Sequence, residues 1–250
     1  MPSLKHYWSQ DSMGLFGCDF VKRCSMSRSR FCEIMSHIYC DVDKLTSAFA
    51  KQSKKHWKPF SNIVVDEALF AFKGRYKYRM YIRRKPNSTG LKFYVLSDET
   101  GFVNDLWMYH GQEDDTVQIV SGFLSTIDNN NAYTLYTDSY YGGIKLAEWI
   151  IENKPNTRFT LSCRSDRPTW LFDVLQDDLQ KGSYRAAKKK AFKLTALSFH
   201  DKKKVNFLTD QYCGTDVEKK SRDGSVRKIP KIMDRYNKYM HGVDKTDSFA

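Results

Sequence analysis

Three aspartates stand where a carboxylate is costly unless it has a use. Asp66 interrupts the apolar run IVVDEALFAF. A lone buried carboxylate there costs several kcal/mol unless a cation, a hydrogen-bond donor or a metal meets it. Asp138 follows the strand-like stretch Ala132–Thr137 and precedes Ser139-Tyr140-Tyr141-Gly142-Gly143. The C-terminal end of a strand in an α/β sheet is where ligands gather. Asp244 and Asp247 lie three residues apart in NKYMHGVDKTD, a spacing that puts both on one face of a helix. Each has an ordinary alternative: a strand edge for Asp66, a helix N-cap for Asp138, a solvated face beside Lys245 for the last pair. Taken together they suit hard cations. Mg²⁺ or Mn²⁺ prefers oxygen ligands, and two such ions roughly 3.5–4 Å apart activate an attacking oxygen and stabilise a leaving one. That is the chemistry of phosphoryl transfer on DNA.

The segment after Asp66 carries the cations such a substrate needs. Arg75, Arg79, Arg83, Arg84, Lys85 and Lys92 crowd it, interleaved with Tyr76, Tyr78 and Tyr81. Guanidinium groups grip phosphate oxygens bidentately, and tyrosines pack on sugars or bases. The ordinary alternative is a solvated loop. The whole chain has a formal net charge of +12, which favours an anionic partner, nucleic acid before membrane. No apolar run approaches the roughly 18 residues that cross a bilayer, and the N-terminus has no hydrophobic signal core. Lys188–Lys190 and Lys202–Lys204 are weaker candidates for DNA contact. The six cysteines form no Cys-x-x-Cys pair, and His241 has no second histidine or cysteine at zinc-ligand spacing.

The elements that position these residues follow from periodicity. Phe31, Ile34, Met35 and Ile38 predict an amphipathic helix over residues 28–39. Residues 51–58, KQSKKHWK, read as a basic linker ending at Pro59. Asn62–Phe72 reads as a buried strand, and Pro86 and Gly90 punctuate a connection. Leu91–Ser97 and Phe102–Tyr109 form a hairpin around Gly101. A helix near 117–127, the strand ending at Thr137, a helix near 144–151 and a strand over Arg158–Ser162 follow. Hairpin strands followed by alternating strands and helices imply an α/β fold, a mixed sheet flanked by helices. Residues 165–230 are polar and lysine-rich, with a hairpin of their own (Ala191–Phe199 and Lys204–Thr209). They read as an inserted subdomain beside the sheet. Ile232–Phe249 returns to the core as one helix. The expected divisions are an N-terminal helical and linker region (1–61), the first part of the core (62–164), the insertion (165–230) and the start of the final core helix (231–250).

The wording around the aspartates is specific. VVDEALFAFKGRYKYRMYIRRKPNSTGLKFYVLSDETG resembles the first catalytic block of piggyBac-type transposases, with Asp-Glu, Phe-x-Gly-Arg, Arg-x-Tyr-Ile, Lys-Pro, Gly-x-Lys and Asp-x-Thr-Gly in order. YTDSYYGGIKLAEWI is similar to the second block, YNKYMHGVDKTD to the third, and MSRSRFCEIMSHIYCDVD to the helix ahead of the core. The resemblance runs from about residue 26 to 250. The second block lacks the Thr-Ser or Ser pair of the family, and LSCRSDRP matches its Gly-Thr-x-Arg segment only loosely.

The resemblance implies an RNase H-like core interrupted by an insertion before the last helix. It implies that Asp66, Asp138 and Asp244 are catalytic and metal-binding, that Asp247 is an additional metal-site carboxylate, and that the cofactor is Mg²⁺ or Mn²⁺. It further implies cut-and-paste cleavage and strand transfer through DNA hairpins, TTAA targets, a homodimer on transposon ends and a nuclear location. Related enzymes continue past the third block, so a partial chain is expected. The alternative is an inactive, truncated or domesticated copy that binds DNA without cutting it.

Overall fold

A computed structural model of the chain describes Trp8 and residues 26–38, 41–83, 88–112, 115–166, 179–189, 193–211, 214–220 and 226–249. The chain divides into two compact units, Met1–Leu45 and Thr46–Ala250. In the first, α1 (Arg28–His37) is capped by Ser27, whose side chain accepts from the Arg30 N–H. The Trp8 indole donates to Met26 O, and its ring tilts against Phe31.

The helix α2 (Val42–His56) runs across the unit boundary and takes in most of the segment expected to be a linker. Lysine and glutamine are good helix formers. Here Lys54, Lys55 and His56 complement the helix C-terminus. Ser53 anchors the turn by donating to Val103 O, and Lys54 pairs with Asp105. A lysine-rich composition had hidden a helix with one tethered face.

The second unit is built on a nine-stranded mixed sheet. Its strands are β1 (Asn62–Ala71), β2 (Arg79–Tyr81), β3 (Thr89–Asp98), β4 (Val103–Met108), β5 (Tyr133–Thr137), β6 (Thr157–Cys163), β7 (Tyr184–Lys189), β8 (Leu194–His200) and β9 (Lys204–Thr209). The order is β2-β3-β1-β5-β6-β9-β8-β7, with β4 also on β3. The strands β1, β5 and β6 are parallel, and β3 is antiparallel to β1. The hairpin between β3 and β4 turns at Gly101, whose φ is 92°, a left-handed value that suits glycine. Gly90 belongs to β3 rather than to a connection, and a Cβ there would meet Phe70 O at 2.1 Å.

Alternation along β1 and β5 sends side chains to two covered faces. Ile63, Val65 and Leu135 pack with α3 (Thr116–Thr126) and α4 (Ile144–Asn153) through Phe123, Leu124, Leu146 and Ile150. On the other face Tyr136 meets Tyr236 and Tyr239 of α5 (Lys231–Tyr239).

Two expectations need correction. The hairpin of residues 191–209 does not stand beside the sheet: β9 pairs with β6 from Thr160↔Thr209 to Cys163↔Asn206, and β8 pairs with β9. Both faces of β8 are buried, and a strand buried on both faces belongs inside a covered sheet. The lysines that colour this region lie mainly on the edge strand β7, in the turn at 202–204 and on a separate two-stranded ribbon, β10 (Asp216–Lys220) with β11 (Val226–Pro230). The closing helix is also broken. After α5, α6 (Gly242–Phe249) starts at Gly242, where a Cβ would lie 2.6 Å from Asp98 O and 2.8 Å from Ser97 Oγ. That close approach pins the break against the end of β3.

Candidate metal centre

Parallel pairing of β1 with β5 ends at Val65↔Thr137. The next residue on each strand is an aspartate, Asp66 and Asp138. Both therefore arrive at the same opening, where β5 stops and β1 continues beside β3 alone. The turn after β5 is shaped by Asp138 itself: its Oδ1 accepts from the Tyr140 N–H at 2.9 Å, and its carbonyl accepts from the Gly142 N–H at 3.0 Å. Glu67 joins them. Asp66, Glu67 and Asp138 each offer a carboxylate oxygen, and these three lie within 4.8 Å of one another. Alternation along a flat strand would separate Asp66 from Glu67. Here Asp66 Oδ1 turns back to accept from the Glu67 N–H at 2.8 Å.

The electrostatics are those of a site short of positive charge. Burial, then the charges of Asp138 and Glu67, push the Asp66 carboxyl up to about 8. Burial and Glu67 also raise Asp138, while backbone N–H groups of Tyr140 and Tyr141 and the charge of Arg164 pull it back. The hydroxyl of Tyr141, a residue only 1% exposed, has no hydrogen-bond partner among the described residues. The same three carboxylates, after burial, raise its pKa. A hard divalent cation fits this all-oxygen donor set and would relieve the repulsion.

A pH dependence follows. Asp66 holds its proton more tightly folded than unfolded, so its contribution to metal-free stability is full below about pH 4 and is lost as pH rises through about 8. Asp66→Asn should flatten that decline. Thermal unfolding in chelator at several pH values measures it, and a wild-type melting temperature that rises over this window by as much as that of the variant would contradict the assignment.

Asp244 is not in the cluster. It sits in the first turn of α6, a helix that packs along β1 and β3. Its side chain is 57% exposed, and Oδ2 contacts His241 Nδ1 at 3.1 Å. The side chain of Asp247 lies outside the described ones, as do Arg84 and Lys85. Arg75 and Arg83 are exposed. Arg79 ties its own loop by donating to Gly74 O at 2.9 Å and Lys73 O at 3.3 Å. Lys92 is largely buried, with 13% of its side chain exposed and its ammonium 3.3 Å from Glu67 Oε1. Glu67, Tyr141 and Arg164 escaped the sequence reading. The Asp-Glu pair inside an apolar strand was the signal for Glu67.

The profile of the Transposase IS4 family matches residues 1–249. Among solved structures, the chain is similar to a piggyBac transposase in a synaptic complex with hairpin DNA, with a TM-score of 0.68 and 23% sequence identity over 92% of this chain. The match spans 49% of that protein's chain, about half its length. At this identity the likeness shows a shared fold, the mixed sheet flanked by helices expected above. A family match that reaches the penultimate residue places the chain in the Transposase IS4 family of transposases.

Proposed function

We propose that this chain is the catalytic region of a cut-and-paste DNA transposase that cleaves and rejoins strands with Mg²⁺ or Mn²⁺. The observation that carries the reading is the convergence of Asp66 and Asp138, with Glu67, where the parallel pairing of β1 with β5 ends. A divalent cation bound there supplies Lewis-acid stabilisation of charge on phosphoryl oxygens. The chain's own residues supply the rest. Asp66, Glu67 and Asp138 hold the ion, the turn at Tyr140–Gly142 fixes Asp138, and Arg75 and Arg83 contact phosphates. The motif match assigns Asp244 the third catalytic position and Asp247 an auxiliary one, and it alone supports those two roles. The similar protein is bound to hairpin DNA, which supports DNA as the partner here. TTAA targets, a homodimer and a nuclear location belong to the same proposal through the family resemblance.

The test is a strand-break assay on duplex and hairpin DNA ends with Mg²⁺, Mn²⁺ or chelator. Breaks that require the divalent ion support the reading. DNA binding without breaks under any metal condition makes the chain an inactive binding module instead. The basic segment is tested separately. Arg75→Ala with Arg83→Ala should weaken binding to all sequences, and the log–log salt slope should fall by about 1.8, roughly 0.9 per lost phosphate contact on duplex DNA. A titration series over several salt concentrations measures this, and an unchanged slope removes these arginines from the interface.

A further inference from the structure

Behind the carboxylates lies a lysine with an unusual setting. Lys92 and Tyr94 are two residues apart on β3 and so share a face. The Lys92 ammonium lies 5.0 Å from the Tyr94 ring centroid, 5.1 Å from that of Tyr109 and 5.2 Å from that of Tyr140. Three π faces around one ammonium hold it by their quadrupoles and restrict its rotamers. From this cage it reaches Glu67 Oε1 at 3.3 Å. The register explains the reach: Glu67 is opposite Tyr94 and Leu69 opposite Lys92, so Glu67 and Lys92 are diagonal neighbours.

The cage is also tied to the metal centre by its third wall. Tyr140 gives its backbone N–H to Asp138. Tyr94 and Tyr109 meet edge to face, as do Tyr140 and Tyr141. The tyrosines that confine Lys92 are therefore continuous with the turn that aims Asp138 and with the buried Tyr141 hydroxyl beside the carboxylates.

We propose that Glu67 is a metal-ligating carboxylate of this centre and that Lys92, fixed in its tyrosine cage, is the residue that positions it. This rests on the metal reading above and deepens it. A carboxylate has two oxygens. Lys92 holds one, which orients the group toward the opening it shares with Asp66 and Asp138, as outer-layer partners do at metal sites generally. The lysine also offsets the repulsion among three carboxylates gathered in one opening. Its charge therefore acts on the ion through Glu67, not on DNA phosphate directly.

Mn²⁺ binding to the whole chain, read from the loss of the free-ion paramagnetic resonance signal, tests both claims without an activity assay. Lys92→Met should raise the Mn²⁺ dissociation constant by about 10- to 100-fold, the usual range for lost outer-layer partners at metal sites, and Glu67→Gln, which removes a ligand charge, by at least as much. In the Glu67→Gln background, Lys92→Met should add little, because the lysine has nothing left to orient. Melting curves in chelator identify any variant that does not fold, and Lys92→Gln, which also removes the charge, takes the place of Lys92→Met in both backgrounds if that variant fails. An additive loss in the double variant would overturn the positioning role. Unchanged affinity in Glu67→Gln, with binding lost in Asp66→Asn, would overturn Glu67 as a ligand while leaving the metal reading intact. Unchanged affinity in Asp66→Asn as well would remove the metal reading itself.

Discussion

Asp138→Asn is expected to abolish metal-dependent strand cleavage while leaving DNA affinity equal or higher. The substitution is isosteric and keeps the Oδ1 that accepts from the Tyr140 N–H, so the turn is preserved. What it removes is one negative charge from a half-buried trio. A bound metal contributes several kcal/mol of charge stabilisation in phosphoryl transfer, so weakening its hold should lower the cleavage rate by about a thousandfold or more, at one decade per 1.36 kcal/mol. DNA binding should not suffer, because the lost carboxylate repels phosphate. Stability should hold or rise at neutral pH, since burial disfavours the charged Asp138. Cleavage kinetics, DNA titration and thermal melts on the same preparation separate these effects. If the variant loses DNA affinity as severely as Arg75→Ala with Arg83→Ala, Asp138 supports the fold and is not a ligand.

Gly142→Ala should be the most damaging single methyl group in the site. A Cβ at this position would fall 1.6 Å from Ser162 O and 2.7 Å from Ser162 C, both backbone atoms of β6. No side-chain rotation relieves such an overlap, so the turn after Asp138 must move away from the sheet. Overpacking of this kind costs on the order of 3 kcal/mol, or about 6–12 °C in melting temperature for a chain of this size. Mn²⁺ affinity should fall with it, because the Gly142 N–H bonds Asp138 O. The neighbouring Gly143, at φ −179°, has extended backbone that any residue adopts, which makes Gly143→Ala the control. A Gly142→Ala protein with unaltered melting and metal affinity would contradict the close approach.

The parts of this arrangement that were legible in the sequence are those set by local pattern. Asp66 breaks an apolar run and Asp138 ends one, and two such strands paired in parallel bring their next residues together. Glu67 was harder to see, because the period-two rule sends it away from Asp66. Its inclusion depends on β5 stopping at Thr137 and on Lys92 two residues along the neighbouring strand, neither of which a single segment encodes. Lys92 itself read as one of six cations in a basic stretch. Only the pairing of β3 with β1 and β4 shows its ammonium turned inward among rings. Composition misled in two places. Averaged over residues 165–230, lysine concealed that the hairpin strand β8 lies inside the main sheet, buried on both faces, and the run KQSKKH concealed the end of α2. The break at Gly242 was invisible for a different reason: it depends on contact with Ser97 and Asp98, residues far away along the chain.

A divalent cation held between Asp66 and Asp138 can be seen directly. Crystals of the chain grown or soaked with Mn²⁺ test it through the anomalous difference map. The expected peak lies within coordination distance, about 2.0–2.3 Å, of carboxylate oxygens of both Asp66 and Asp138. A saturated crystal with no peak in that opening, or with manganese held by other residues, would contradict it.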